Sequence, residues 1–315
     1  MSHPTPSDRA LLAVLQALAA RGYQFVTPTP ATHARVSARL KGRTACDMRE
    51  VFGWSLPFRR DLVGPDIFDL LRRGGALDET RQGFRSRLRV SSLDGGLFLH
   101  SAYPAEAEDA VFFGPDSYRF AALIAAEAAG LDPAARVVDI GAGAGVGAIA
   151  AARLAPGLEP TLTDVNPSAL RLARINAAFA RVTVRTRKAD GLKRVAGSWD
   201  LALANPPYIA GSDGPAYREG GDMHGARLSL ELACAAAERL APGGRLILYT
   251  GAAIVGGRDA LREALEPALA ARGCSLRYRE LDPDVFGEEL AKPAYAEVER
   301  IAVIAAVAVR ESPRP

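Results

Sequence analysis

The chain has 315 residues, of which 49% are hydrophobic and 24% charged, and it carries a net charge of +3. This composition is typical of a globular protein and is long enough for one large domain plus a smaller one. The small net charge excludes an argument for a nucleic-acid partner on charge alone.

Cysteine usage and hydropathy exclude further classes. Cys46, Cys234 and Cys274 are widely spaced and odd in number, so neither a disulfide framework nor a zinc site is predicted, and we expect no metal. No basic segment followed by an apolar core opens the chain, and the longest apolar run, 301–309, is about half a membrane span. We therefore expect a cytoplasmic protein without membrane contact.

The first third of the chain has a mixed pattern. Amphipathic stretches predict helices over 7–21, 31–40 and 65–73, and segments 87–91 and 97–101, which flank the turn residues Asp94-Gly95-Gly96, predict a hairpin. Proline and acidic residues cluster at 105–109. The sequence therefore predicts a smaller N-terminal α+β domain over 1–108 and a second domain over 109–315.

The second domain alternates strand and helix patterns. Helices are expected over 146–154, 167–180, 226–240 and 259–272, the second capped by Asn166 with proline at its first position. Such alternation predicts an α/β fold, a doubly wound and mostly parallel sheet with a final antiparallel strand. Seven strands are predicted, over 136–140, 159–163, 182–187, 200–204, 245–249, 275–281 and 301–309.

A glycine-rich turn follows the first of these strands. Gly141, Gly143 and Gly145 come directly after Asp139-Ile140, where glycine lets a ligand approach the backbone. The dinucleotide fingerprint needs glycine or alanine where this chain has Val146, which disfavours a pyrophosphate cradle. An adenosine with an amino-acid tail fits better, with Asp139 holding its ammonium group.

Polar residues end the next three strands. Asp164 is placed to accept hydrogen bonds from both ribose hydroxyls, and Asp190 from the adenine amino group. Asn205 follows the fourth strand. Each acid alone is more commonly a cap or turn residue, but the carboxyl ends of parallel strands meet at one sheet edge, so the ordered set predicts a binding site there.

Asn205-Pro206-Pro207-Tyr208 gives the most specific prediction. Consecutive prolines forbid a helix and fix the backbone, so this loop presents an amide and an aromatic ring at the sheet edge. With the glycine-rich turn, it resembles the class I S-adenosylmethionine-dependent methyltransferases over about 116–310. Within that class the motif is similar to that of enzymes that methylate planar nitrogens, such as the HemK-like protein glutamine methyltransferases.

The resemblance implies roles for individual residues. Asn205 and Pro206 would hold the target nitrogen, Tyr208 would stack on it, and Asn205 would also border S-adenosylmethionine. Phe113 and Ser117, just before and at the start of the first helix, would touch the methionine end of the cofactor. Residues 209–224 would form a cover over the substrate.

The acceptor stays open between a protein glutamine and an exocyclic amine of an RNA base. Gly114-Pro115-Asp116-Ser117 is more similar to the rRNA guanine methyltransferases, whereas Tyr208 favours the glutamine type. Four arginines over 81–89 could bind phosphates, although their alternation fits a solvated strand face better. A non-catalytic scaffold for a partner subunit and an NAD-dependent oxidoreductase are the more distant alternatives.

Overall fold

We describe a computed structural model of the chain, which covers residues 4–105, 107–210 and 220–312. The N-terminal part has an α+β composition in which two short hairpins follow four helices. Its elements are α1 (Pro6–Ala20), α2 (Pro30–Arg39), α3 (Met48–Phe52), α4 (Arg60–Arg73), β1 (Leu77–Thr80), β2 (Gly83–Ser86), β3 (Leu88–Leu93) and β4 (Gly96–Ser101).

The second part alternates strands and helices as predicted. Its elements are α5 (Pro115–Glu127), β5 (Val137–Ile140), α6 (Val146–Leu154), β6 (Thr161–Asp164), α7 (Pro167–Phe179), β7 (Arg185–Lys188), β8 (Trp199–Ala204), α8 (Arg227–Ala237), β9 (Leu240–Val255), β10 (Arg258–Asp259), α9 (Ala260–Ala270), β11 (Cys274–Asp282) and β12 (Arg300–Arg310).

One sheet carries this part, in the strand order β7-β6-β5-β8-β9-β12-β11. The first five strands of that order are parallel, and β12 pairs antiparallel with both β9 and β11. The predicted fold class is confirmed, including the antiparallel final strand. The two-residue β10, which pairs with the end of β9, was not predicted.

Local signals explain most helix boundaries. The Asn166 side chain accepts a hydrogen bond from Ser168 N, and Pro167 occupies the first position of α7, as the sequence predicts. The predicted end of α8 was wrong, since the helix stops at Ala237 and β9 begins at Leu240. Pro242 and the two glycines after it lie within β9, where its pairing with β8 shifts register.

The N-terminal part packs against α7 through α1 and β4. Asn176 of α7 is fully buried, and its amide exchanges hydrogen bonds of 2.8 and 3.0 Å with the backbone of Leu99 in β4. Arg171 of α7 forms an ion pair of 2.6 Å with Asp8 of α1. One apolar cluster contains Leu15 together with Leu172, so the two parts share a core. A domain boundary at 108/109 stays a prediction.

Candidate active site

The carboxyl ends of β5, β6, β7 and β8 surround a cavity of about 270 Å³, which we call the loop cavity. The sequence predicted that these four strand ends would meet, and the parallel pairing brings them together. Eight of the predicted site residues line the loop cavity: Ser117, Asp139, Gly141, Gly143, Asp164, Asp190, Asn205 and Pro206.

The glycine-rich turn leaves its backbone open to the loop cavity. Gly141 and Gly143 have φ angles of +68° and +51°, which side chains rarely adopt. Gly143 N donates a hydrogen bond of 2.9 Å to Asp164 Oδ2, and Asn166 N donates one of 2.8 Å to Asp164 Oδ1. These two bonds fix the Asp164 carboxylate at the cavity wall. Burial raises the pKa of Asp164, against the effect of these backbone donors.

Asp139 lies deeper, at the end of β5, and is 2% exposed. Its Oδ2 accepts a hydrogen bond of 2.8 Å from Ala148 N in the first turn of α6. Burial raises the pKa of Asp139 to about 7, and the charge of nearby Asp164 acts in the same direction. A cationic group of a ligand would relieve this burial of negative charge.

Three predicted residues differ from the others. Asp190 lines the loop cavity but is exposed and pairs with Lys193 Nζ at 2.5 Å. Gly145 does not line it; its backbone precedes α6 and packs against Ala173. Phe113 lines a different cavity, whereas its neighbour Phe112 borders both.

This second cavity has a volume of about 280 Å³, and we call it the acceptor cavity. It lies between the N-terminal part and the sheet edge, and His33, Arg89 and His100 are on its N-terminal side. Residues 205–207, with Val111 and Phe112, border both cavities. The Asn-Pro-Pro segment therefore forms a wall shared by two adjoining spaces.

Tyr208 lines the acceptor cavity and is buried. Its hydroxyl donates a hydrogen bond of 2.7 Å to Asp116 Oδ2, and the Tyr249 hydroxyl donates one of 2.8 Å to Asp116 Oδ1. A Cβ atom at Gly251 would come within 2.1 Å of Tyr208 Cδ2. The ring is thus held at its hydroxyl and packed closely against β9.

Sequence reasoning missed the three residues that hold this ring. Asp116 was noted only as part of a local pattern, and Tyr249 and Gly251 were not singled out. They are 92, 41 and 43 positions away from Tyr208 in the chain. An acid at the start of the first helix of the second domain and a glycine two residues after a predicted strand were the available signals.

The arginine-rich segment does not form the solvated face that its alternation favours. Arg87 is exposed and pairs with Asp78 at 2.6 Å. Arg89 is buried, and its Nε donates a hydrogen bond of 2.9 Å to Gly53 O. The prediction fails because β3 begins at Leu88 and turns its Arg89 face toward the interior.

The predicted cover, 209–224, falls partly on residues 211–219, which lie outside the described residues. The residues that flank this segment are joined to each other, since Gly220 N donates a hydrogen bond of 2.9 Å to Ile209 O.

Within the described parts of the chain, no group of three or more His, Cys, Asp and Glu side chains is arranged to hold a metal ion. No helix among these residues is both long and apolar enough to cross a membrane. The cytoplasmic location stays a prediction.

Comparison with known proteins agrees with this geometry. Residues 120–268 match the family described as methyltransferase small domain. Over these residues the chain is similar to the methyltransferases of that family. The matched residues include the glycine-rich turn, all three acids at the strand ends and Asn205-Pro206-Pro207-Tyr208.

Curated relatives extend the likeness. The chain is 35% identical over 123 residues to a release factor glutamine methyltransferase of Deinococcus radiodurans, covering 36% of this chain and 44% of the relative. It is 37% identical over 142 residues to the enzyme of that name from Cereibacter sphaeroides, covering 40% and 50%. The chain thus spans half or less of the length of these relatives.

A solved structure resembles the fold over more of the chain. A putative transferase from Pyrococcus horikoshii superposes with a TM-score of 0.51 at 12% identity, covering 78% of this chain and 83% of that one. At this identity the likeness concerns the fold alone.

Proposed function

We propose that this protein transfers the methyl group of S-adenosylmethionine to a planar nitrogen, the side-chain amide of a glutamine in a translation-related protein. The observation that carries the proposal is the wall formed by residues 205–207 between two cavities. A methyl donor in one space and an amide in the other would meet at Asn205. The names of the curated relatives support glutamine as the acceptor.

The loop cavity has the features that S-adenosylmethionine requires. Gly141 and Gly143 leave room beside the backbone, and the fixed carboxylate of Asp164 suits the ribose hydroxyls. Asp139 suits the ammonium of the amino-acid tail, and Asp190 suits the adenine amino group. When bound, the cofactor supplies an electrophilic methyl group.

On the acceptor side, the chain holds a nitrogen that is a poor nucleophile. Asn205 Oδ1 and the Pro206 carbonyl accept the two N–H hydrogens of the amide, and Tyr208 presents its ring to the amide plane. Orientation supplies most of the rate, and acceptors directed at positive charge developing on nitrogen supply electrostatic stabilisation. The methylated nitrogen then releases one of its two N–H protons to water, so this role needs no general base among the cavity residues.

The N-terminal part, 1–108, is proposed to select a macromolecular acceptor. Its β3–β4 hairpin supplies Arg89 and His100 to the acceptor cavity, so it borders the space where the amide would bind. A partner that docks on this part would reach the Asn-Pro-Pro wall through the acceptor cavity. We propose a protein as the partner, and we propose no role for a membrane or a metal.

Labelling with tritiated-methyl S-adenosylmethionine tests the proposal. The purified protein is incubated with extract from cells that lack its gene, and the Asn205→Ala variant serves as the matched control. We expect label that protease releases and ribonuclease does not, at glutamine, and only with the wild-type protein. Label that ribonuclease releases would make an RNA base the acceptor. Absence of label in both fractions would favour a non-catalytic scaffold or a small-molecule acceptor.

A further inference from the structure

Arg89 is the feature of the acceptor cavity that the proposed function leaves unexplained. It is 5% exposed and lies on β3 directly opposite His100 of β4, and both side chains line the cavity. Opposed residues of an antiparallel pair have their side chains on the same face. The hairpin therefore presents a cation to the acceptor cavity.

The Arg89 guanidinium is incompletely satisfied by the protein. Its Nε donates to Gly53 O, and its carbon lies 5.6 Å from the centre of the Phe25 ring. Its Nη2 is buried without a hydrogen-bond partner, and no carboxylate of the described residues pairs with it within 4 Å. Burial lowers the pKa of Arg89 to about 10, so the group remains charged at neutral pH. A buried charge without a partner is strongly destabilising.

The other titratable groups of this cavity do not neutralise Arg89. Burial lowers the pKa of His33 to about 3 and that of His100 well below its usual value, so both rings are neutral. Asp116 is the sole carboxyl group among the described lining residues. Its Oδ2 accepts a hydrogen bond from the Tyr208 hydroxyl, and its Oδ1 accepts one from the Tyr249 hydroxyl.

We propose that Arg89 binds a carboxylate of the methyl acceptor while Asn205 holds the acceptor amide at the other wall of the same cavity. This inference rests on the proposed function. In a protein acceptor, the carboxylate is an acidic side chain next to the methylated glutamine or a main-chain carboxylate at a chain end. A guanidinium binds carboxylates through charge-assisted hydrogen bonds, and a ligand carboxylate would compensate the buried charge of Arg89.

The chemistry of the cavity favours a carboxylate over a nucleic-acid backbone. Proteins that track phosphates use several cations along a groove, whereas Arg89 is the sole cation among the described lining residues. The volume of about 280 Å³ is at the lower end of small-ligand sites and suits a single side chain with one neighbouring group.

Calorimetric titration with small probes tests this subsite without turnover, in the presence of S-adenosylhomocysteine. The first probe is N-acetylglutamine, which has a main-chain carboxylate. The others are N-acetyl dipeptide amides that carry glutamate before or after glutamine. Each has a neutral counterpart, with an amide or a second glutamine in place of the carboxylate. We expect at least one charged probe to bind about tenfold or more tightly than its counterpart, and the probe that does so identifies the source of the carboxylate.

Variants assign that preference to Arg89. Arg89→Met should remove it, Arg89→Lys should restore part of it, and Arg87→Met, at an exposed ion pair, should leave it unchanged. Unchanged S-adenosylhomocysteine affinity verifies that Arg89→Met is folded. Should that variant fail to fold, the wild-type comparison and Arg89→Lys still decide the question.

Three outcomes would overturn the subsite. They are equal binding of every charged probe and its neutral counterpart, a preference that persists in Arg89→Met, and Arg89-dependent binding of inorganic phosphate or AMP without binding of the carboxylates. An Arg89-dependent preference without methylation of any protein would retain the subsite and overturn the proposed acceptor. Methylation of a protein without any preference for the charged probes would overturn the subsite and retain the proposed acceptor.

Discussion

The hydroxyl of Tyr208 donates a hydrogen bond of 2.7 Å to Oδ2 of Asp116, which joins the loop after β8 to the first turn of α5. Burial raises the pKa of Asp116. Two tyrosine hydroxyls bind the same carboxyl group, which holds the Tyr208 side chain in place at the wall of the acceptor cavity. The side chain of Tyr208, the aromatic residue of the motif, is therefore held in a fixed position.

The first prediction concerns that hydrogen bond. Tyr208→Phe keeps the ring and removes the donor, so we expect a loss of about 1 kcal/mol in the free energy of unfolding and a fall of several-fold in kcat. Tyr208→Ala removes the ring as well and should reduce kcat/KM much further. Urea unfolding and the methylation assay measure both effects. Equal activity of the two variants would show that the ring has no role.

Gly251 gives the second prediction. Because a methyl group there would overlap the Tyr208 ring, Gly251→Ala should displace the ring and lower kcat/KM by about tenfold or more, at a stability cost of about 1–3 kcal/mol. Gly287→Ala is the matched control, since a methyl group at that position would have no atom within 4 Å. In a Tyr208→Ala background, Gly251→Ala should have little further effect. An additive double variant would contradict this steric coupling.

The third prediction separates the two cavities. Asn205→Ala should reduce kcat by about 100-fold or more while S-adenosylhomocysteine affinity stays near the wild-type value. Asp164→Asn should lower that affinity by about tenfold or more, since its amide would place a donor against Gly143 N or Asn166 N. Calorimetry and the methylation assay give the two quantities. Lost cofactor affinity with retained turnover in Asn205→Ala would contradict the assigned roles.

The fourth prediction is a pH dependence of stability. The pKa of Asp139 is about 7 in the folded protein and near 3.8 when exposed, so the folded state keeps a proton that the unfolded state releases between these values. The contribution of Asp139 to the free energy of unfolding therefore decreases as pH rises from about 4 to about 7, by at most about 1.4 kcal/mol per pH unit.

Comparison of wild type with Asp139→Asn isolates this contribution. The variant keeps an acceptor for Ala148 N but has no titrating proton, so its stability should depend less steeply on pH within that window. Urea unfolding at several pH values measures both proteins. Parallel curves for the two would show that the Asp139 carboxyl has an ordinary pKa in the folded state.

Much of the fold and of the loop cavity followed from the sequence alone. Strand–helix alternation predicted the parallel sheet, and parallel strands necessarily bring their carboxyl ends to one edge. This local rule was enough to predict that Asp139, Asp164 and Asn205 would border one space, because each directly follows or ends its own strand. The capped start of α7 was likewise encoded in adjacent residues.

The acceptor cavity depended on the tertiary structure. Asp116, Tyr208 and Gly251 come from α5, the loop after β8 and strand β9, and no spacing rule connects them. Arg89 had the alternation of a surface strand, yet it is buried, with Gly53 and Phe25 from distant segments of the N-terminal part against its guanidinium. Periodicity gives the face on which a side chain lies, but only the packing of distant segments decides whether that face meets water or another part of the chain.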